Sequence, residues 1–322
     1  MYEAFSSSDL KTILHSKRAN LYYLEHCRVL LNAGRVEYVT QASNENLYWN
    51  IPIANTTAIL LGSGTSITQG AMRELAKAGV VVGFSGGGGT PLYAACEPSI
   101  DFCWLTSQSE YRPTEYLQGW VSFWFDESDR VKVAKFFQEK RVSLILNNWC
   151  YLKSREDFNF DEERLRSTLS YFSENLSLCS STQDILLLEA RVSKALFKLA
   201  ANAVDYGEFS RQKNGLGTDP ANRLLDYGNY LAYGLAASAC WVLGLPHSLS
   251  VLHGKTRRGG LVFDVADIIK DAIVLPLSFV AAIDGCSTED FKPLCLEHLQ
   301  RMQSLDVMIE CLETAVRTFR KN

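Results

Sequence analysis

A chain of 322 residues, with 47% hydrophobic and 21% charged side chains, carries enough apolar material for two ordinary cores and lies far from the composition of disordered chains. Thirty-two lysines and arginines against 36 aspartates and glutamates leave a formal charge of −4. No global positive field advertises a nucleic-acid partner, and any such contact must rest on local patches.

The first thirty residues mix acids and bases and lack the apolar run of a secretory leader. Nine cysteines, an odd number with no C-x-x-C pair, read as reduced thiols filling core space in the cytoplasm. From about Ala19 to Val82 the apolar residues come in short runs: NLYYLEH, CRVLLNAGRVEYVT, NLYWNIPI and TTAILLG. Punctuated by Asn-Ala-Gly and Asn-Glu-Asn, they predict strands and hairpins. One helix interrupts them over Thr68 to Ala78 and stops at Gly79. The strand-like GVVVGF and the loop Ser85 to Thr90 follow.

Two glycine stretches here, LLGSGTSITQG and GFSGGGGT, invite a phosphate-binding reading. Neither has the Gly-Lys-Ser/Thr of a Walker loop, and Gly62 and Gly64 lack the third glycine of a dinucleotide fingerprint. Tight turns are the simpler reading, with a glycine-loop nucleotide-binding enzyme as the alternative.

Past about Glu110 apolar residues recur three and four apart, as in DRVKVAKFFQEKRVSLILNNWCYL and DILLLEARVSKALFKLAANAV, which predicts helices. The segment CEPSIDFCWLTSQSEYRP is the natural junction. The expected fold is therefore α+β. A small β-rich N-terminal domain spans 1–100, a linker 101–113, and a larger all-α domain 114–322. Leu231 to Leu245 and Ala272 to Ile283 are too short to span a bilayer and are ended or interrupted by proline; they predict buried helices.

Glu189 falls inside an apolar stripe formed by Ile185, Leu188, Val192, Leu196 and Leu199. A carboxylate there needs a charged or hydrogen-bonding partner, and an arginine or lysine from a neighbouring helix would suffice. A second cluster, HGKTRRGGLVFDVADIIKDAIVLPL, places His253 and several cations ahead of an apolar helix bearing Asp264 and Asp267. Taken singly, Asp264 suits a helix N-cap, Asp267 a pair with Lys270, and His253 an ordinary core position. Taken jointly, Glu189, His253, Asp264 and Asp267 suggest a catalytic divalent-metal site whose mixed oxygen and imidazole character suits Mg²⁺ or Mn²⁺. Lys255, Arg257 and Arg258, with Arg211 and Lys213 in FSRQKNGLG, suit a phosphate backbone beside it. Phosphodiester cleavage or transfer is the chemistry suggested. A non-catalytic nucleic-acid-binding scaffold of the same fold remains the competing reading.

The stretches DPANRLLDYGNYLAYG and LGLPHSLSVLHGKTRRGGLVFDVADIIKDA, with the helix ILLLEARVSKALFKLA, closely resemble the CRISPR-associated integrase of spacer acquisition, most of all its type I-F form. IPIANTTAILLGSGTSIT and AGVVVGFSGGGG extend the resemblance over nearly the whole chain. It implies an endonuclease and integrase that inserts short foreign DNA fragments into a CRISPR array by 3′-OH attack. It implies a homodimer acting on double-stranded DNA, whose N-terminal domain serves dimerisation and partner contacts. A small companion protein would join it, fused to the helicase-nuclease of interference. Metal ligation by Glu189, His253 and Asp267 is implied, with Asp264 a further acidic member and Asp219 and Asn222 bracing the site. Two positions depart from many relatives, Ala190 for glycine and Asp267 for glutamate; the second keeps a carboxylate ligand.

Overall fold

The computed structural model describes residues 18, 20–42, 45–84, 114–154, 158–212, 219–254 and 259–321. It forms two compact units, 1–112 and 113–322.

The first unit contains β1 (Asn20–Leu24), β2 (Arg28–Asn32), β3 (Arg35–Ala42), β4 (Glu45–Asn50), β5 (Thr56–Leu61), β6 (Ser66–Ile67), α1 (Gln69–Lys77) and β7 (Val81–Phe84). They build two sheets, ordered β1-β5-β7 and β4-β3-β2-β6. The Asn-Ala-Gly run closes a true hairpin. Asn32 pairs with Arg35, and Ala33 and Gly34 between them both take positive φ, +47° and +81°, as a primed two-residue turn requires. Hairpin pairing continues from β3 to β4 but does not extend to β1, β5 and β7, which run parallel. Parallel partners need a crossover, which leaves no local turn signal to read. Between β5 and β7 that crossover carries α1, capped by Thr68, whose side chain accepts from the Ala71 amide at 3.3 Å. Central strand β5 is buried at every position, the unbroken apolar pattern of a strand covered on both faces.

The first glycine turn is packed shut. The Gly62 amide donates to the Leu24 carbonyl at 2.8 Å and the Ser63 carbonyl accepts from the His26 amide at 2.9 Å. A Cβ on Gly62 would lie 2.5 Å from Glu25 Cγ. These contacts make it a tight turn, with that amide already spent on protein. The Gly86 to Gly89 loop and the expected 101–113 linker lie outside the described residues.

The second unit is helical: α2 (Glu115–Trp124), α3 (Glu127–Lys153), α4 (Glu162–Leu178), α5 (Thr182–Ala203), α6 (Pro220–Val242), α7 (Gly260–Ile283), α8 (Thr288–Arg301) and α9 (Ser304–Phe319). Helix α7 is its axis, buried along nearly its whole length and packed against α3, α5, α6, α8 and α9. The two apolar stretches read as buried helices fall in α6 and α7. These helices approach closely at Gly228, where a Cβ would meet Val274 Cγ1 at 2.5 Å.

Pro276 sits inside α7 and has no amide to offer the Ala272 carbonyl four residues back. Asn148 of α3 takes its place, with Nδ2 donating to that carbonyl at 2.5 Å. Next to it Trp149 Nε1 donates to the Asp271 carbonyl at 2.9 Å. The proline break is thus satisfied by α3, which docks that helix beside the acids of α7. Among the described residues every cysteine is free, and no helix is long and apolar enough to cross a membrane.

Candidate metal centre

Three segments deliver the acids and the histidine. Helix α5 starts from a capping box of Ser181 and Asp184 and buries Glu189 to 8% exposure. A turn over 251–254 presents His253. Helix α7 begins directly after and carries Asp264, Asp267, Lys270 and Asp271 within two turns. Ligand atoms of Glu189, His253 and Asp267 all lie within 4.8 Å of one another, and His253 Nε2 stands 3.6 Å from Asp267 Oδ2.

Asp264 lies behind this cluster. Its Oδ2 accepts from the amides of Val251 (2.6 Å) and Leu252 (3.2 Å), and its Oδ1 from the His253 amide at 3.0 Å. The same Oδ1 lies 2.7 Å from His253 Nδ1. A carboxylate only accepts, so Nδ1 carries a proton, and in the neutral ring Nε2 is the nitrogen whose lone pair faces Asp267. The N-cap position that Asp264 taken singly would suit is held by Gly259 with φ +76°; Asp264 instead fixes the His253 ring and the turn before it.

Two cations complete the site, Arg141 buried and Lys270 partly exposed. From α3, the Arg141 guanidinium donates to Glu189 Oε1 at 3.0 Å and also bonds Asp271. Lys270 pairs with Asp267 one turn along α7. Glu189 thus has both things weighed for it: a neighbouring-helix arginine and a place among potential metal donors. Arg141 was not anticipated, although the signal was present. It falls among Phe137, Leu144, Ile145 and Trp149, all on the buried side of α3, as Glu189 does on α5.

For His253, burial pulls the pKa down most strongly. The hydrogen bond to Asp264 and the charges of Asp267, Asp264 and Glu189 together outweigh it and leave the ring above its ordinary 6.5. Lys270 feels the same contest, burial against Asp267, Asp271 and Glu189, and its pKa ends well above the lysine range.

The residues fit a divalent cation. Both Asp267 oxygens are buried and accept no hydrogen bond from the described residues, although the Lys270 ammonium pairs with Oδ1. Among the described residues, four carboxylates (Glu189, Asp264, Asp267, Asp271) stand against Arg141 and Lys270, a sum of −4 + 2 = −2 once His253 takes the neutral form that ligation needs, the charge one divalent ion cancels. Two carboxylates and one imidazole suit magnesium or manganese better than zinc.

Three other expected residues, Asp219, Asn222 and Arg211, are bonded to one another around the start of α6. Asp219 caps α6, accepting from the Asn222 amide at 2.7 Å and from the Tyr206 hydroxyl at 2.6 Å. Asn222 is fully engaged: Oδ1 accepts from Arg211 (2.8 Å) and from the Gln212 amide (3.0 Å), while Nδ2 donates to Ser210 and Asp219. Arg211 also pairs with Asp226. These bonds tie the 205–212 segment onto α6 and leave the Arg211 side chain partly exposed. Lys213, Lys255, Arg257 and Arg258 lie outside the described residues.

Fold and site define a protein of two units, β-rich then helical, with a carboxylate-imidazole cluster fit for a cation in the helical unit. The chain belongs to the Cas1 family: the family model described as CRISPR associated protein Cas1 matches residues 24–292. It is 60% identical over 315 residues to the CRISPR-associated endonuclease Cas1 of Pectobacterium atrosepticum, covering 97% of each chain. It is 60% identical over 310 residues to that of Pseudomonas aeruginosa, covering 96% of each. Among solved structures, the fold is similar to that of a casposase bound to integration product (TM-score 0.66, 16% identity, 94% of this chain and 92% of that one). A TtCas1-DNA complex is similar as well (TM-score 0.64, 21% identity, 92% of each).

Proposed function

We propose that this protein is a divalent-metal-dependent DNA endonuclease and integrase of CRISPR spacer acquisition, of the type I-F-like kind. The observation that carries the reading is the convergence of Glu189, His253 and Asp267 within 4.8 Å, in a chain 60% identical to two curated Cas1 endonucleases. Those three residues would hold Mg²⁺ or Mn²⁺, which supplies Lewis-acid stabilisation of charge on an attacked phosphate and lowers the pKa of a bound hydroxyl or water.

The chain's own groups do the rest. Asp264 holds His253 in the tautomer that keeps Nε2 free. Lys270, beside Asp267, supplies fixed positive charge next to the place where phosphoryl oxygens become more negative. In transfer, a 3′-hydroxyl oxygen of the captured fragment forms a bond to a phosphorus of the repeat, and the bond from that phosphorus to its original 3′ oxygen breaks. One phosphodiester replaces another, the hydroxyl proton passes to the leaving oxygen or solvent, and no nucleotide is consumed. With water as nucleophile the same site cleaves.

Arg211, Lys213, Lys255, Arg257 and Arg258 are read as backbone contacts to double-stranded DNA, and Asp219 and Asn222 as residues that brace the site. The working assembly is a cytoplasmic homodimer, with dimerisation and partner contacts in the N-terminal unit, joined by a small companion protein fused to the helicase-nuclease of interference. A solved relative of similar fold (TM-score 0.60) is part of a Cas6-RT-Cas1–Cas2 complex. The glycine-loop nucleotide enzyme is disfavoured by the packing of Gly62.

A strand-transfer assay with a branched or linear DNA bearing free 3′ ends, in Mn²⁺ against chelator, tests the reading. Asp267→Ala is expected to abolish transfer while dimer and DNA binding persist. Transfer by that variant in Mn²⁺ overturns the assignment, and transfer by the parent protein in chelator overturns the metal dependence.

A further inference from the structure

Among the groups around the centre, Arg141 has the geometry of a device. Its side chain is 3% exposed, and its fork divides between two carboxylates on different helices. Nη1 donates to Gln138 Oε1 (2.8 Å) and Glu189 Oε1 (3.0 Å). Nη2 donates to Ser193 Oγ (3.2 Å) and bonds Asp271. The bridge links α3, α5 and α7, and occupies one oxygen of Glu189 while leaving Oε2 for another partner. No other hydrogen bond to a described residue restrains that long side chain.

We propose that Arg141, braced by Asp271, is a positioning residue that holds Glu189 in the orientation a cation requires. The inference rests on the metal-centre reading above. Two consequences of the bridge oppose each other. Removing the guanidinium frees Glu189 to rotate, which weakens cation binding, but it also takes the local sum from −2 to −3, which strengthens it. Arg141→Lys separates them, because an ammonium keeps the charge and cannot span both carboxylates with a planar fork.

The test is Mn²⁺ binding to full-length, DNA-free protein, read from the free-Mn²⁺ paramagnetic resonance signal, with melting temperature in chelator measured alongside. Arg141→Lys is expected to weaken Mn²⁺ affinity about 10- to 100-fold, the range for loss of a partner behind a ligand. An affinity within about twofold of the parent in a folded variant overturns the proposal. So does a lowered melting temperature with no change in affinity, which marks a merely structural arginine. If Arg141→Lys does not fold, the pair Gln138→Ala and Ser193→Ala removes two braces of the guanidinium and leaves every charge in place. It is expected to weaken Mn²⁺ about 3- to 10-fold, and an unchanged affinity again overturns the proposal. Glu189→Gln marks the boundary with the parent reading. If the parent protein takes up no Mn²⁺, or Glu189→Gln takes it up as well as the parent, the metal centre itself fails. If only Arg141→Lys matches the parent, the positioning role alone fails.

Discussion

Asp264→Asn removes one oxygen and one charge from a side chain that is 2% exposed and holds the turn before α7. Each oxygen of Asp264 accepts two hydrogen bonds: Oδ2 from Val251 and Leu252, Oδ1 from the amide and ring of His253. Whichever oxygen becomes the amide nitrogen then faces two donors with a donor, and both bonds are lost. At roughly 1.5–3 kcal/mol for a hydrogen bond to a charged group, the cost is about 3–6 kcal/mol. Relaxation brings it toward the ~3–5 kcal/mol typical of breaking a buried charged pair. Against a total stability of roughly 5–15 kcal/mol this is easily read as a lowered midpoint in urea with chelator present. The His253 ring is left facing either a donor or an uncharged acceptor in place of a carboxylate, so its orientation is held less firmly and Mn²⁺ affinity should fall about 10- to 100-fold. Equal stability and equal affinity in the asparagine variant would refute the anchoring argument. Lost stability with unchanged affinity would leave the turn anchored and refute the orienting role.

Two further outcomes follow from the same geometry. His253 has a folded-state pKa above 6.5, so in chelator its contribution to stability is full below pH 6.5 and is lost as pH rises through the folded value. Ligation needs the neutral ring, so the rise in melting temperature caused by Mn²⁺ should grow from about pH 6 to about pH 8.5; a shift independent of pH contradicts the assignment of His253 as ligand. Asn148→Ala strands the Ala272 carbonyl, which Pro276 cannot serve, and should cost about 1–3 kcal/mol in urea unfolding. Adding Pro276→Ala restores an amide to that carbonyl and should recover part of the loss, whereas a fully additive pair would show that Asn148 acts elsewhere.

The helical unit was legible because its chemistry is local. Glu189 declared itself by sitting among Ile185, Leu188 and Val192, and Asp267 by sitting between Ala266 and Ile268. What lay across the fold was harder to read. Arg141 interrupts its apolar stripe as visibly as Glu189 does, but its partners Glu189 and Asp271 are 48 and 130 positions away; the residue could be flagged and its pairing could not. Asp264 was legible as an acid of the site, yet its task depends on three amides of a turn whose path no periodicity describes. Arg211 shows another limit. A basic residue in a polar loop carries no local mark of the bonds it makes to Asp226 and Asn222. In the first unit the Asn-Ala-Gly turn marked its hairpin, while the parallel pairing of β1, β5 and β7 is set by a crossover with no short-range mark.

The most direct measurement is anomalous diffraction from crystals of the protein grown or soaked with Mn²⁺. A manganese peak bonded to Glu189, His253 Nε2 and Asp267, with Asp264 touching only the far side of the imidazole, is the expected result. Manganese elsewhere in the molecule, or Asp264 in the coordination shell with His253 turned away, would contradict the account at its centre.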